Sequence, residues 1–194
     1  MKKFHGPKKI KTAVFISGNG SNLKNLIKFS YFKKSPIQIT LVISNNYKAK
    51  GLYHAKKSVI KSRVFRFKNK KNDENKILSL LKKEKVNLIC LAGFMRILSK
   101  NFVKKFYGKI LNIHPSLLPK YKGLNTHKRV IQNKEKISGC TVHFVNSKLD
   151  AGKIILQKKV KIYRNDTPKK LSKRILKQEH ILYPKAIMKL FANL

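Results

Sequence analysis

Two side chains set two positions apart, the amide of Asn112 and the imidazole of His114, are followed at once by Pro115. In an extended strand residues i and i+2 share a face, so a strand over residues 109–113 sets both on one side. Pro115 and Pro119 stop strand or helix from continuing and fix the path of the loop that leaves. A histidine beside an amide at a strand end suits an acyl-transfer step, which needs a donor for an oxyanion and a route for a proton. A structural histidine at a turn is the other reading, and this segment alone leaves both open. Asp150, one of only seven acids in the chain, sits in the loop at 146–152. It reads either as a cap or as the carboxylate that orients and stabilises a protonated imidazole. His143, inside the alternating run at 139–145, reads as a packed, hydrogen-bonded structural histidine rather than a ligand.

A second chemical element lies near the start. The apolar run TAVFIS at 12–17 suits a strand buried on both faces. It leads into Gly18-Asn19-Gly20-Ser21-Asn22, after which Leu23, Leu26 and Ile27 recur at helical spacing. Strand, glycine turn and helix start aim backbone N–H groups and the positive helix end at whatever sits above the turn, a natural site for an anion. The pattern is neither GxGxxG nor GxxxxGK, so a phosphate monoester fits better than a dinucleotide or ATP. A tight turn with Ser21 or Asn22 as helix cap is the alternative.

The elements that position these groups alternate along the chain. Strands are expected at 12–17, 37–44, 63–67, 87–92, 109–113, 139–145 and 153–162. Helices are expected after Asn22 and at 50–58, 73–85, 101–107 and 126–133, and a last one from Asp166-Thr167-Pro168 to about Ala192. Asp166 or Thr167 is its N-cap. Such alternation argues for an α/β fold, a doubly wound, mostly parallel sheet closed by an antiparallel hairpin and a final helix. Ligands of such sheets bind beyond the carboxyl ends of the strands. The segments 18–22, 93–98 and 112–119 all follow strands, so all three converge on that edge.

Length and charge bound the rest. The chain has 194 residues, enough for a single domain over 1–194 with a basic tail at 1–11. No apolar run approaches the roughly 18 residues a membrane span needs. The tail lacks the pattern of a signal peptide, so a cytoplasmic protein with no membrane partner is expected. Cys90 and Cys140 lack CxxC spacing and read as buried free thiols, and the His and Cys residues show no metal-ligand spacing. Net charge is +40, from 47 Lys and Arg against seven acids. Only Arg63, Arg66, Arg96, Arg129, Arg164 and Arg174 are arginine. Lysine spread over every segment reads as a compositional drift on solvated faces, not a binding stripe, so no specific nucleic-acid partner is expected. The field still draws anionic substrates.

The segments ISGNGSNL (16–23), LAGFMRIL (91–98), LNIHPSLLPKYKGLNTH (111–127), VHFVNSKLDAG (142–152) and QEHILYP (178–184) together resemble the folate-dependent phosphoribosylglycinamide formyltransferases over nearly the whole chain. The resemblance implies a Rossmann-like formyltransferase fold. It also implies direct transfer, through a tetrahedral intermediate, of the formyl group of 10-formyltetrahydrofolate to the amine of glycinamide ribonucleotide in purine biosynthesis. No metal is needed. Carried over by position, Asn112, His114 and Asp150 form the catalytic trio. Gly20, Ser21 and Asn22 hold the phosphate, and Glu179 the sugar or glycinamide. Met95, Arg96, Ile97 and Leu98 line the folate site with Asn112, Asn146, Ser147, Lys148, Leu149 and Asp150. Lys70 falls where relatives can carry an Arg near the folate glutamate tail, keeping charge but losing the bidentate fork. Asp150-Ala151-Gly152 stands where relatives often read DGG. The partners implied are these small molecules, with the protein a monomer or homodimer.

Three other readings compete. Methionyl-tRNA formyltransferases share the fold but read HGSLLP, against HPSLLP here, and carry a further tRNA-binding domain that a chain ending at Leu194 would lack. Formyltetrahydrofolate hydrolases carry an N-terminal regulatory domain, and about eleven residues precede the first strand here. A basic nucleic-acid-binding protein would need an Arg- and aromatic-rich surface, to which only FKNKK at 67–71 comes near.

Overall fold

A computed structural model describes residues 9–191. Positions 1–8 of the expected basic tail and the expected helix end at Ala192 lie outside the described residues. Seven strands form one sheet in the order β3-β2-β1-β4-β5-β6-β7. Strands β1 (Ile10–Ile16), β2 (Ile37–Ser44), β3 (Lys61–Val64), β4 (Leu88–Leu91) and β5 (Lys109–His114) run parallel. Strands β6 (Ile137–Phe144) and β7 (Ile154–Lys161) add on antiparallel. The fold is thus the expected one, and the strand order reverses between β1 and β4.

Each face of the sheet has its own apolar layer. On one, Val14, Ile16, Val42 and Cys90 pack with α1 (Ser21–Ser30), α2 (Gly51–Lys57), α5 (Thr126–Gln132) and α6 (Pro168–Leu190). On the other, Ala13, Phe15, Leu41 and Ile43 pack with α3 (Lys70–Lys83) and α4 (Lys100–Lys105). Continuous apolar runs in β1, β2 and β4 therefore serve two cores at once, as a sheet covered on both faces requires. Cys90 and Cys140 are buried free thiols, and burial pushes each up to about 12, so neither is a ready nucleophile.

Local chemistry sets several boundaries. Strand β3 covers Lys61–Val64 rather than residues 63–67. It lies at the sheet edge with mostly exposed side chains, and Phe67, at φ 56, breaks the extended run. Helix α3 begins at Lys70, three residues before Asp73, because the Asn69 side chain caps it by accepting Asn72 N–H at 3.1 Å. At α6 the cap is Thr167, accepting Lys170 N–H at 3.2 Å ahead of Pro168, whereas Asp166 pairs with Arg174. The buried Tyr183 hydroxyl lies 3.1 Å from the carbonyls of both Leu91 and Leu111. It pins α6 across the carboxyl ends of β4 and β5, where the converging loops begin.

Candidate active site

Those loops enclose one cleft of about 800 Å³ at the carboxyl edge of the sheet. Helix α1 opens at one end of it. Its N-cap is Gly20 in the left-handed region (φ 70) with no side-chain cap, so neither Ser21 nor Asn22 closes the helix end. A Cβ at Gly20 would stand 2.5 Å from Gly51 Cα, so glycine is required by both conformation and space. The first-turn N–H groups are left to an outside acceptor, the arrangement an anion site needs. Beside it Asn22 Nδ2 donates to Glu179 Oε2 at 2.7 Å. Burial holds the Glu179 carboxyl above its ordinary value, against the lowering effect of that bond. Among the described residues Asn22 Oδ1 is buried without a partner.

Asn112 and His114 project from β5 on one face, as i and i+2 require. His114 Nε2 lies 2.8 Å from the Tyr121 carbonyl, which can only accept, so Nε2 carries a proton. Its Nδ1 faces Asp150 Oδ2 at 3.4 Å, and both side chains are more than nine-tenths buried. A proton on Nδ1 as well makes a buried ion pair, whereas a bare Nδ1 would turn a lone pair toward a carboxylate. Asp150, itself at φ 45, also accepts Gly123 N–H at 2.8 Å and Asn112 Nδ2 at 3.4 Å.

His143 is buried and hydrogen-bonded as expected, yet it also belongs to this network. Its Nδ1 donates to the Phe144 carbonyl at 2.8 Å, leaving Nε2 as acceptor for Asn112 Nδ2 at 3.2 Å. Burial lowers its pKa, opposed by the Phe144 carbonyl and Asp150 and reinforced by His114. The loop after β6 is shaped by Asn146, whose Oδ1 accepts Lys148 N–H at 2.9 Å and whose Nδ2 donates to the Ala151 carbonyl at 3.3 Å. A Cβ at Gly152 would sit 1.7 Å from the Phe144 carbonyl, while Ala151 is exposed. The glycine this turn demands is therefore Gly152, and Ala151 sits in its place without strain.

Every expected site residue except one lines the cleft: Gly20, Ser21, Asn22, Met95, Arg96, Ile97, Leu98, Asn112, His114, Asn146, Ser147, Lys148, Leu149, Asp150 and Glu179. Lys70 instead stands exposed at the first position of α3, off the cleft wall. Ser17, Thr126, His127 and His143 line the wall although sequence reasoning gave them no part in the site. His127 lay within a recognised motif, and burial lowers its pKa while its Nδ1 finds no partner among the described residues. Among the described residues no group of three or more His, Cys, Asp or Glu is placed to hold a metal ion.

A doubly wound sheet with an imidazole, a carboxylate and an amide at the floor of a cleft, and an open helix end at its mouth, is built for group transfer onto an anionic acceptor. A model of the family described as formyl transferase matches residues 10–187, and the chain belongs to that family. Phosphoribosylglycinamide formyltransferase of Haemophilus influenzae is 46% identical over 180 residues, 91% of this chain and 85% of that protein. The trifunctional purine biosynthetic protein adenosine-3 of Bos taurus is 46% identical over 93% of this chain, which spans only 18% of that longer protein. The crystal structure of phosphoribosylglycinamide formyltransferase from Anaplasma phagocytophilum superposes with a TM-score of 0.88 at 45% identity, covering 95% of this chain and 88% of that one.

Proposed function

We propose that this chain, as a single formyltransferase domain, transfers the formyl group of 10-formyltetrahydrofolate to the amine of glycinamide ribonucleotide. The products are formylglycinamide ribonucleotide and tetrahydrofolate. The observation that carries the reading is the buried His114–Asp150–Asn112 cluster in a cleft that also contains the uncapped start of α1. The likeness to phosphoribosylglycinamide formyltransferases across most of both chains supports it.

The folate supplies an activated formyl carbon. Fit to such a heterocycle is supported by the loop at 93–98, which lines the cleft. Among the described residues, its N–H groups find no protein partner apart from that of Met95. Met95, Arg96, Ile97 and Leu98, with Asn146, Ser147, Lys148, Leu149 and Asp150, hold that ligand. Gly20, Ser21 and Asn22 hold the ribonucleotide phosphate. Glu179, whose carboxyl burial holds above its ordinary value, and Asn22 Oδ1, unpartnered among the described residues, meet hydroxyl or amide groups of the sugar and glycinamide. Lys70, off the wall, has no part in the cleft.

Juxtaposition of amine and formyl carbon supplies much of the rate. Negative charge develops on the formyl oxygen. The His114 imidazole, whose Nδ1 lies 3.4 Å from Asp150, and the Asn112 amide, held at 3.2 and 3.4 Å, are the groups placed to meet it. Asp150 then stabilises the imidazolium and takes part in moving the amine proton toward the leaving folate nitrogen.

The test is release of tetrahydrofolate with and without glycinamide ribonucleotide. Ribonucleotide-dependent release, lowered about 100-fold or more in His114→Ala with ligand affinity retained, is the expected result. Release without ribonucleotide would make the protein a hydrolase, and no release from folded protein would refute the reading.

A further inference from the structure

One hydroxyl sits where the strand order reverses. Ser17 follows β1 directly. Its Oγ donates its only proton to Asn45 Oδ1, 2.5 Å away in the loop after β2, and accepts Met95 N–H, 2.6 Å away in the loop after β4. The next residue, Gly18, accepts Gly51 N–H at 3.0 Å through its carbonyl, and that contact holds the turn leading to Gly20. Ser17 therefore lies between the anion-binding turn and the Met95 loop, touching both sides of the crevice.

The Met95 loop has little else to hold its middle. Phe94 packs edge-on against Phe15 and Phe67, and Leu98 is buried. Between these anchors Met95 is 62% and Ile97 63% exposed. Among the described residues, the Met95 N–H is the one backbone donor between Gly93 and Leu98 with a protein partner, and that partner is Ser17.

We propose that Ser17 is a positioning residue that couples the two ends of the cleft, so that a phosphate on the turn at 18–22 raises affinity for the ligand on the loop at 93–98. The identity of the two ligands rests on the function proposed above. A hydroxyl that donates to one loop and accepts from another carries displacement between them. An anion seated at the start of α1 fixes residues 18–20, hence Ser17, hence the Met95 turn. Coupling of this kind is reciprocal: each ligand tightens the other by the same factor.

Tetrahydrofolate binding, titrated with and without saturating glycinamide ribonucleotide, reads the coupling. The wild type is expected to bind tetrahydrofolate about fivefold or more tightly in the presence of the ribonucleotide. The ratio falls to about one in Ser17→Ala and returns in Ser17→Thr, which keeps the hydroxyl. Amide exchange at Met95, which needs no ligand, speeds about tenfold in Ser17→Ala. If Ser17→Ala does not fold, Asn45→Ala loosens the same link from the other side and lowers the same ratio. A wild type without coupling, an alanine variant that keeps it, or unchanged Met95 exchange would each overturn the proposal. Absence of turnover in the wild type would count against the reaction and leave the exchange result standing.

Discussion

Each ring nitrogen of His114 faces an oxygen, the Tyr121 carbonyl on one side and Asp150 on the other. Asp150→Asn replaces a full charge by a dipole in a buried pair. Turnover is expected to fall about 100-fold or more while ribonucleotide affinity, read by calorimetry, stays within about threefold. Three other histidines point to an acid-sensitive fold. Burial lowers the pKa of His143, His127 and His180, so the unfolded chain takes up these protons more readily. Their stabilising effect is whole above the ordinary imidazole value of about 6.5 and is lost as pH falls through the lower folded values. Glu179, raised by burial, acts oppositely: its contribution is whole below the ordinary carboxyl value and lost as pH rises through the folded one. The imidazole contribution is the part of the slope that His143→Gln removes. The thermal midpoint should fall between about pH 7.5 and about pH 5.5, with a shallower slope in His143→Gln; a flat profile would contradict this. At this scale spacing predicted the shared face of Asn112 and His114, while their grouping with Asp150 was legible through the family resemblance and not from the spacing alone. His143 was half legible, since alternation marks burial but says nothing of which amide a ring nitrogen meets across the sheet.

Helices and turns set these groups in place, and two of them can be probed directly. Gly20→Ala forces a Cβ into the left-handed region and against Gly51. A loss of about 1–3 kcal/mol in unfolding free energy is expected. The open end of α1 should be displaced with it, raising the ribonucleotide KM about tenfold. The loop that grips the catalytic pair is itself clasped by Arg129. Its Nη1 donates to the Lys122 carbonyl at 2.6 Å, and its guanidinium lies 5.4 Å from the centre of the Tyr121 ring. Tyr121 supplies the carbonyl for His114 and Gly123 the N–H for Asp150. Arg129→Leu should therefore lower kcat about tenfold or more with little change in either KM, because it misplaces reacting groups without touching a ligand; a pure KM effect would argue against this role. Most elements were readable from apolar runs, since a doubly covered sheet leaves them almost uninterrupted. Strand β3 was displaced in the reading because an exposed edge strand has no buried face to mark it, and the aromatics just beyond it imitate one.

Across the whole molecule the seven acids are nearly all committed. Glu84 pairs with Lys61, Glu135 with Lys120 and Asp166 with Arg174. Glu74 receives the Ser99 N–H and hydroxyl at the start of α4, and Asp73 stands in the first turn of α3. The remaining two, Asp150 and Glu179, line the cleft. The 47 basic side chains thus find few carboxylates, and the net charge of +40 acts both as self-repulsion and as an attractive field for anions. Salt separates these two effects because they respond with opposite benefit. Raising ionic strength shortens the screening length from about 10 Å at 0.1 M to about 3 Å at 1 M. Repulsion among surface lysines is relieved, so the thermal midpoint should climb with added sodium chloride. Over the same range the field that draws the ribonucleotide phosphate weakens, so its KM should rise while kcat, set by the buried His114–Asp150 pair, changes little. If midpoint and KM both stay constant, the lysine excess is electrostatically idle. If the midpoint falls with salt instead, the ion pairs of Glu84, Glu135 and the less exposed Asp166 outweigh the repulsion, a result at odds with the median worth of exposed pairs, roughly 0–1 kcal/mol each.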